Sequence, residues 1–285
     1  MTNATNAAQD SNAKDSLEED FDNCAMPLVR RVYALLGRDD SRLHNGDPLP
    51  RGWHFILFTP TASQHTLGPD GTPTTKGAVT PPGLPRRMMG GRRFTFFSDI
   101  PIGVDVRRVS EVVSSTEKTG RSGRFMIMTT RQLIYVAGQS KPALQEDTDT
   151  LFREPASANA PAAEAAKPEP RVADIREQAA IDETMLFRYS ACTFNAHRIH
   201  YDYPYTTKTE GYPSLVVNAG LTVLLLREFG MRLNGAPLAT MTTRNSRPIH
   251  CGTRIQLCAR AVENGHDLWA EDELGHVCAE VGLRR

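Results

Sequence analysis

The chain has 285 residues, more than one ordinary core accounts for, which suits two domains or a duplicated one. Forty per cent hydrophobic and 23% charged residues describe a globular protein able to bury a sizeable core. Lys plus Arg and Asp plus Glu each number 33, and a formal net charge of zero excludes a global basic field for nucleic acid or an anionic membrane.

Residues 1–20, "MTNATNAAQDSNAKDSLEED", are polar and acidic with no apolar run. They read as a disordered tail, lacking the apolar side chains that offset ordering entropy. The same composition excludes a secretory signal and argues against a presequence. A first domain is expected over 21–153. In it "DIPIGVDVRRVSEVV", the turn "KTGRSG" and "RFMIMTTRQLIYVAG" predict antiparallel strands joined through glycine. From Glu154, "EPASANAPAAEAAKPEP" offers no large apolar residue and marks a linker across 154–172.

A second domain is expected over 173–285. Its "SRPIHCGTRIQLCARAV", "ENGHD" and "LWAEDELGHVCAEVGLR" repeat the strand–turn–strand pattern, and Pro101-Ile102 and Pro248-Ile249 open the two blocks. The pattern suggests two copies of one fold. Ahead of the second block, Asn218 is a candidate N-cap and Gly230 a terminator for a helix holding Leu221, Val223, Leu224, Leu225, Leu226 and Phe229. Apolar on nearly every face, it is expected to be buried all round, over about 18 Å at ~1.5 Å per residue. With strands beginning near Thr240, the fold class is α+β, an antiparallel sheet around a helix. The longest apolar stretch, Leu215 to Leu226, is broken by Asn218 and falls short of the ~20 residues that span a bilayer. Five cysteines with no CxxC pair read as reduced thiols, and a cytoplasmic location is expected.

Chemistry concentrates in "TFNAHRIHYD", Thr193 to Asp202. Three readings compete on spacing. His197, His200 and Asp202 could hold a metal, although no HExxH or cysteine ligand supports it. The histidines could be hydrogen-bonded into a structural loop. Or His200 is a general acid/base, with an unperturbed pKa near ~6.5 suited to neutral pH.

"FRYSACTFNAHRIHYDYPYT" followed by "EGYPSLVVNAGL" resembles the MaoC-like, hot-dog-fold acyl-thioester hydratases. The closest branch holds mesaconyl-CoA and itaconyl-CoA hydratases and the mitochondrial-type 3-hydroxyacyl-thioester dehydratases. It carries T-x-N-x-H-R-I-H-Y-D, then E-G-Y-x-G-L-V-V-H-G-P-L. "WHFILFTPTASQHTLGPDGTP" and "LPRRMMGGRRFTFF" resemble that branch's leading domain. The resemblance implies a double hot dog, two antiparallel sheets each wrapped around a central helix, with a degenerate first copy and a catalytic second. It implies reversible hydration of an α,β-unsaturated acyl-CoA, short, branched or dicarboxylic, to a 3-hydroxyacyl-CoA.

In the wider family an aspartate and a histidine hold the attacking water. The histidine falls on His200 and the aspartate on Asn195, whose amide orients water but takes no proton. The resemblance further implies an oxyanion site at Ala219 and Gly220, with Asn218, His197 and Tyr201 around the substrate. Ser214, Asn218 and Ala219 stand where the family has Gly, His and Gly. Arg86, Arg87, Arg92, Arg93 and Arg244 offer donors to CoA phosphates, with surface solvation the alternative for each; Arg198 equally suits a salt bridge. The implied cofactor is none, in metal or redox group. The implied partner is the acyl-CoA substrate, with no nucleic acid and no membrane, and with a homodimer as a further assembly. Rival functions are a 3-hydroxyacyl-ACP dehydratase, an acyl-CoA thioesterase, which calls for a carboxylate where Asn195 stands, and a catalytically lapsed acyl-thioester binding protein.

Overall fold

The computed structural model describes residues 18–74, 80–120, 123–155, 171–235 and 237–285. Residues 1–17 of the expected tail and 156–170 of the expected linker lie outside them. Glu18–Asp20, assigned above to the tail, instead open β1 (Glu18–Asn23), which pairs antiparallel with β3 (Asp105–Gly120). Opposed charges tie that edge, since Arg107 bonds Glu19 and Arg108 bonds Asp20.

α1 (Met26–Leu35) follows β1, and β2 (Arg86–Phe96), β3, β4 (Gly123–Val136) and β5 (Leu144–Arg153) complete the first half. The second half runs β6 (Ile175–Ala180), α2 (Glu183–Thr193), α3 (Tyr203–Lys208), α4 (Ala219–Asn234), β7 (Thr240–Asn245), β8 (Arg254–Val262), β9 (Gly265–Glu271) and β10 (Val277–Arg284). All ten strands form one antiparallel sheet in the order β1-β3-β4-β5-β2-β7-β10-β9-β8-β6. Replacing each first-half strand by its counterpart five places later gives the same order read backwards. The duplication expected from the paired strand–turn–strand blocks is present in the sheet itself. The halves meet at the β2–β7 seam, where Arg92 opposes Thr243 and Phe94 opposes Met241.

Alternation along the strands explains which face is covered. In β8 the buried residues include Ile255, Leu257 and Ala259, and in β10 Ala279, Val281 and Leu283. α4 lies across β8–β10 and buries Leu221, Leu224, Leu226 and Phe229. The helix departs from expectation in three ways. Asn218 makes no side-chain cap, the helix continues four residues past Gly230, and it ends at Gly235 in the left-handed region (φ 58°). Nor is it apolar all round, because Arg227 and Glu228 are buried within it. Gly230 sits mid-helix because a Cβ there would stand 2.5 Å from Leu268 Cδ1 and 2.6 Å from Leu283 Cδ1.

The expected double hot dog is the architecture, with one difference: among the described residues the first half holds no counterpart of α4. Its only α-helix, α1, packs against α2, and short 3-10 turns at His54–Ile56 and Gln64–Thr66 occupy the stretch before β2. The concave face of β2–β5 is thus left open as a cavity. All five cysteines are buried and unbridged, and no helix among the described residues is long and apolar enough to cross a membrane.

Candidate active site

The site forms where three short segments meet. α2 is capped by Asp182, whose side chain accepts from the Met185 N–H at 2.8 Å, and it ends at Phe194 in the left-handed region (φ 48°). That conformation is costly for an aromatic residue, and it turns the chain sharply so that Asn195 follows into the cavity. The Asn195 N–H closes on the Ser190 carbonyl, and its Oδ1 accepts from the His197 N–H at 3.0 Å. Its Nδ2 makes no hydrogen bond among the described residues, leaving a donor for a water.

His200 ends the turn Arg198–His200 and is 7% exposed. Its Nδ1 lies 2.7 Å from the Val216 carbonyl, which can only accept, so Nδ1 carries the hydrogen. Nε2 is then the free lone pair of a neutral ring. Burial, against the Val216 hydrogen bond and with help from His197, holds the pKa of His200 at about 4. The ring is thus a base that remains unprotonated at neutral pH.

Val216 also donates to the Ile199 carbonyl and bridges to His250, so the strand-like segment before α4 is stitched to the His200 turn. This stitching places the start of α4 opposite His200 in one cavity of 1510 Å³, lined by residues of both halves. Ala219 and Gly220 line it, and their N–H groups are among the first of the helix, without partners within it. Together with the helix dipole they favour a developing negative charge. Asn218 also lines the cavity. It is 2% exposed, its Nδ2 donates to Ser190 Oγ at 3.3 Å, and its Oδ1 is buried without a partner.

Two expected pocket residues fall elsewhere. Tyr201 is 52% exposed, bonds the Ala196 carbonyl and does not line the cavity. His197 also stands off the lining, edge-on to His200 with ring centroids 5.4 Å apart, and its Nε2 is 3.9 Å from Asp70. Asp202 caps α3 through the Tyr205 N–H and pairs with Arg198, a structural use. Among the described residues no group of three His, Cys, Asp or Glu is arranged to hold a metal ion. Of the basic residues, Arg87 and Arg92 line the cavity and Arg93 is tied to Asp149; Arg86 and Arg244 are not in the lining.

Three features escaped the sequence. Tyr189 of α2 is buried, stacks on Phe55 at 5.4 Å, and sets its hydroxyl so close to Gly220 that a Cβ there would overlap it. Gly220 is therefore required by a close approach. A loop of the first half braces the His200 turn, with Arg198 donating from its backbone to the Asp70 carbonyl and from Nη1 to the Pro69 carbonyl. Also in the cavity lining, Glu146 and His54 form a buried pair at 3.2 Å. The signals for these were the resemblance of 53–73 to a leading domain and the place of Tyr189 within "FRYSACTFNAHRIHYDYPYT", each of which names a segment and not a role.

Residues 52–251 match the model of the hydroxyacyl-thioester dehydratase type 2 family. The mesaconyl-C(4)-CoA hydratase of Chloroflexus aurantiacus is 37% identical over 224 residues, 79% of each chain. Among solved structures, the MaoC-like dehydratase of Phytophthora capsici superposes with a TM-score of 0.65 at 14% identity, covering 95% of each chain. HtdX of Mycobacterium tuberculosis does so at 0.62 and 16%, covering 90% of this chain and 95% of that one. The likeness to these structures shows the fold, and the sequence match spans both halves of the site. The chain is a hydro-lyase belonging to the hydroxyacyl-thioester dehydratase type 2 family.

Proposed function

We propose that the enzyme reversibly adds water to an α,β-unsaturated acyl-CoA with a short branched or dicarboxylic acyl group of the mesaconyl or itaconyl type, giving the 3-hydroxyacyl-CoA. The observation that carries this reading is the tautomer of His200. With its hydrogen committed to Val216, the ring offers an unprotonated Nε2 in a cavity that also holds the start of α4.

The thioester carbonyl would accept from the N–H groups of Ala219 and Gly220, which polarises the double bond toward the β-carbon. A water held by Asn195 Nδ2 would give its proton to His200 Nε2 while its oxygen bonds to that carbon. The electron pair of the double bond moves onto the α-carbon and carbonyl as an enolate. His200 then returns the proton to the α-carbon, restoring the neutral ring. Bonds to oxygen and hydrogen form and break with no net oxidation, so the reaction as proposed calls for neither metal nor redox cofactor. Asn195 in place of a carboxylate favours hydration over thioester hydrolysis, since one base is enough for the hydration cycle. The Chloroflexus relative, a mesaconyl-C(4)-CoA hydratase, favours CoA over a carrier protein.

The test is a panel of crotonyl-, mesaconyl- and itaconyl-CoA, followed by loss of the conjugated-thioester absorbance and by free-thiol release. Hydration of at least one without thiol release is expected. His200→Ala should lower turnover by about 10²–10⁴-fold with unchanged circular dichroism. Inertness of the wild type toward the whole panel, or near-normal turnover by His200→Ala, overturns the reading.

A further inference from the structure

Strands β2, β4 and β5 line part of the cavity, and among apolar residues such as Met128 and Ile134 they set a polar cluster of Thr130, Gln132, Glu146, Thr148 and Thr150, where an alkyl chain would want hydrocarbon. Within that cluster Glu146 is 6% exposed. One carboxylate oxygen meets His54 Nε2 at 3.2 Å, and the other meets Thr148 Oγ1 at 3.1 Å and Arg92 Nε at 3.5 Å. Burial alone would raise the Glu146 pKa, but the His54 hydrogen bond and the Arg92 charge hold it at about 2. Glu146 is a satisfied anion, and it grips Arg92 by one edge of the guanidinium.

Arg92 has more to give. Among the described residues it makes this ion pair and no hydrogen bond, and its side chain lines the cavity. It stands on the seam strand opposite Thr243, itself in the lining, so it projects from the boundary between the halves. Its charge also reaches Tyr189, whose hydroxyl abuts Gly220 at the start of α4. A guanidinium held at Nε keeps its two terminal nitrogens as a fork matched to a carboxylate.

We infer that Arg92 receives a free carboxylate at the far end of the acyl group, making the cavity selective for dicarboxylic over alkenoyl thioesters. The inference rests on the proposed hydratase reading for its substrate. His54 and Glu146 act as positioning residues, holding the guanidinium in place without touching the substrate. The rival role for Arg92 is that of a mere counter-ion to Glu146, in which case no selectivity follows.

Binding of two unreactive four-carbon thioesters, succinyl-CoA and butyryl-CoA, separates these roles by calorimetry on the wild type. Succinyl-CoA should bind at least about tenfold tighter, and Arg92→Ala should erase the difference. In turnover, the ratio of kcat/KM for mesaconyl-C4-CoA to that for crotonyl-CoA should fall about 100-fold in Arg92→Ala, mostly through KM, with part of the loss restored in Arg92→Lys. Taking the ratio within one preparation cancels any unfolded fraction. Equal affinities in the wild type, or a preference that survives Arg92→Ala, overturn the inference. Crotonyl-CoA hydration with no diacid preference would sink Arg92 and leave the hydratase standing. A diacid preference in binding with no turnover of any enoyl-CoA would do the reverse.

Discussion

At the scale of single residues, the proposed chemistry depends on an imidazole that refuses a proton. The pKa of His200 is depressed from its ordinary 6.5 to about 4 in the folded chain, burial being the chief cause. Two consequences follow with defined signs. The base remains neutral down to about pH 4, so the acid limb of kcat/KM for crotonyl-CoA hydration is expected at about 4 to 5 and not near 6.5. Between those values the unfolded chain binds a proton that the folded chain rejects. The stability present above pH 6.5 is therefore progressively lost as pH falls toward 4. Rate–pH profiles at constant ionic strength check the first, and Tm against pH, compared with His200→Ala, checks the second. An acid limb at 6.5, or identical pH slopes of Tm in both proteins, would place the ring in water. His200 and Asn195 were legible because they sit in one contiguous run. The places of Tyr189 and Arg92 were not: Tyr189 passed as an ordinary helix residue of the motif, and Arg92 was one of five arginines offered to CoA phosphates, since each reaches the cavity from a different element.

At the scale of elements, legibility follows how far each strand's buried face is apolar. The β8–β9 hairpin announces itself through Ile255, Leu257 and the "ENGHD" turn, with Asn264 in the left-handed region at φ 60°. β5 does not. Its buried positions include Leu144 and Phe152 at the ends but Glu146 and Thr150 between them, because the middle of the strand faces the cavity and not a core. A carboxylate and a hydroxyl there break the period-2 signal for the same reason that they are useful. The end of α4 was misplaced by a related confusion, since Gly230 reads as punctuation when its cause is packing. Gly230→Ala sets two magnitudes against each other. Alanine favours a helix interior by about 1 kcal/mol, while forcing a methyl against Leu268 and Leu283 costs about 1–3 kcal/mol. Both leucines are buried, at 2% and 0% exposure, and have little room to yield. The variant is expected to be less stable by about 1 kcal/mol in urea unfolding. A gain in stability would mean that the leucines repack freely.

At the scale of the molecule, the palindromic sheet makes two copies into one object, and α4, for which the described residues of the first half hold no counterpart, adds a further tie between them. Beside the β2–β7 ladder and the packing of α1 on α2, buried polar contacts also join the halves at α4. Glu228 on that helix is 3% exposed and takes the indole N–H of Trp53 at 2.8 Å. It also pairs with Arg227 beside it and with Arg38, which like Trp53 belongs to the first half. Arg227 in turn donates from Nε to the Arg51 carbonyl, again across the halves. Glu228→Gln keeps the shape and an acceptor for Trp53 but leaves the buried Arg227 without its counter-charge. Breaking a buried pair in this way costs about 3–5 kcal/mol. Because Glu228 joins the copies, the loss should fall on both together. Trp53 fluorescence in a Trp269→Phe background reports the first half, and far-UV circular dichroism reports the whole sheet. Their urea midpoints are expected to coincide in the parent and to move down together in Glu228→Gln. Should the Trp53 signal shift alone, the halves would be separately folded units, and a cavity that needs residues from both would depend on docking instead of on the fold.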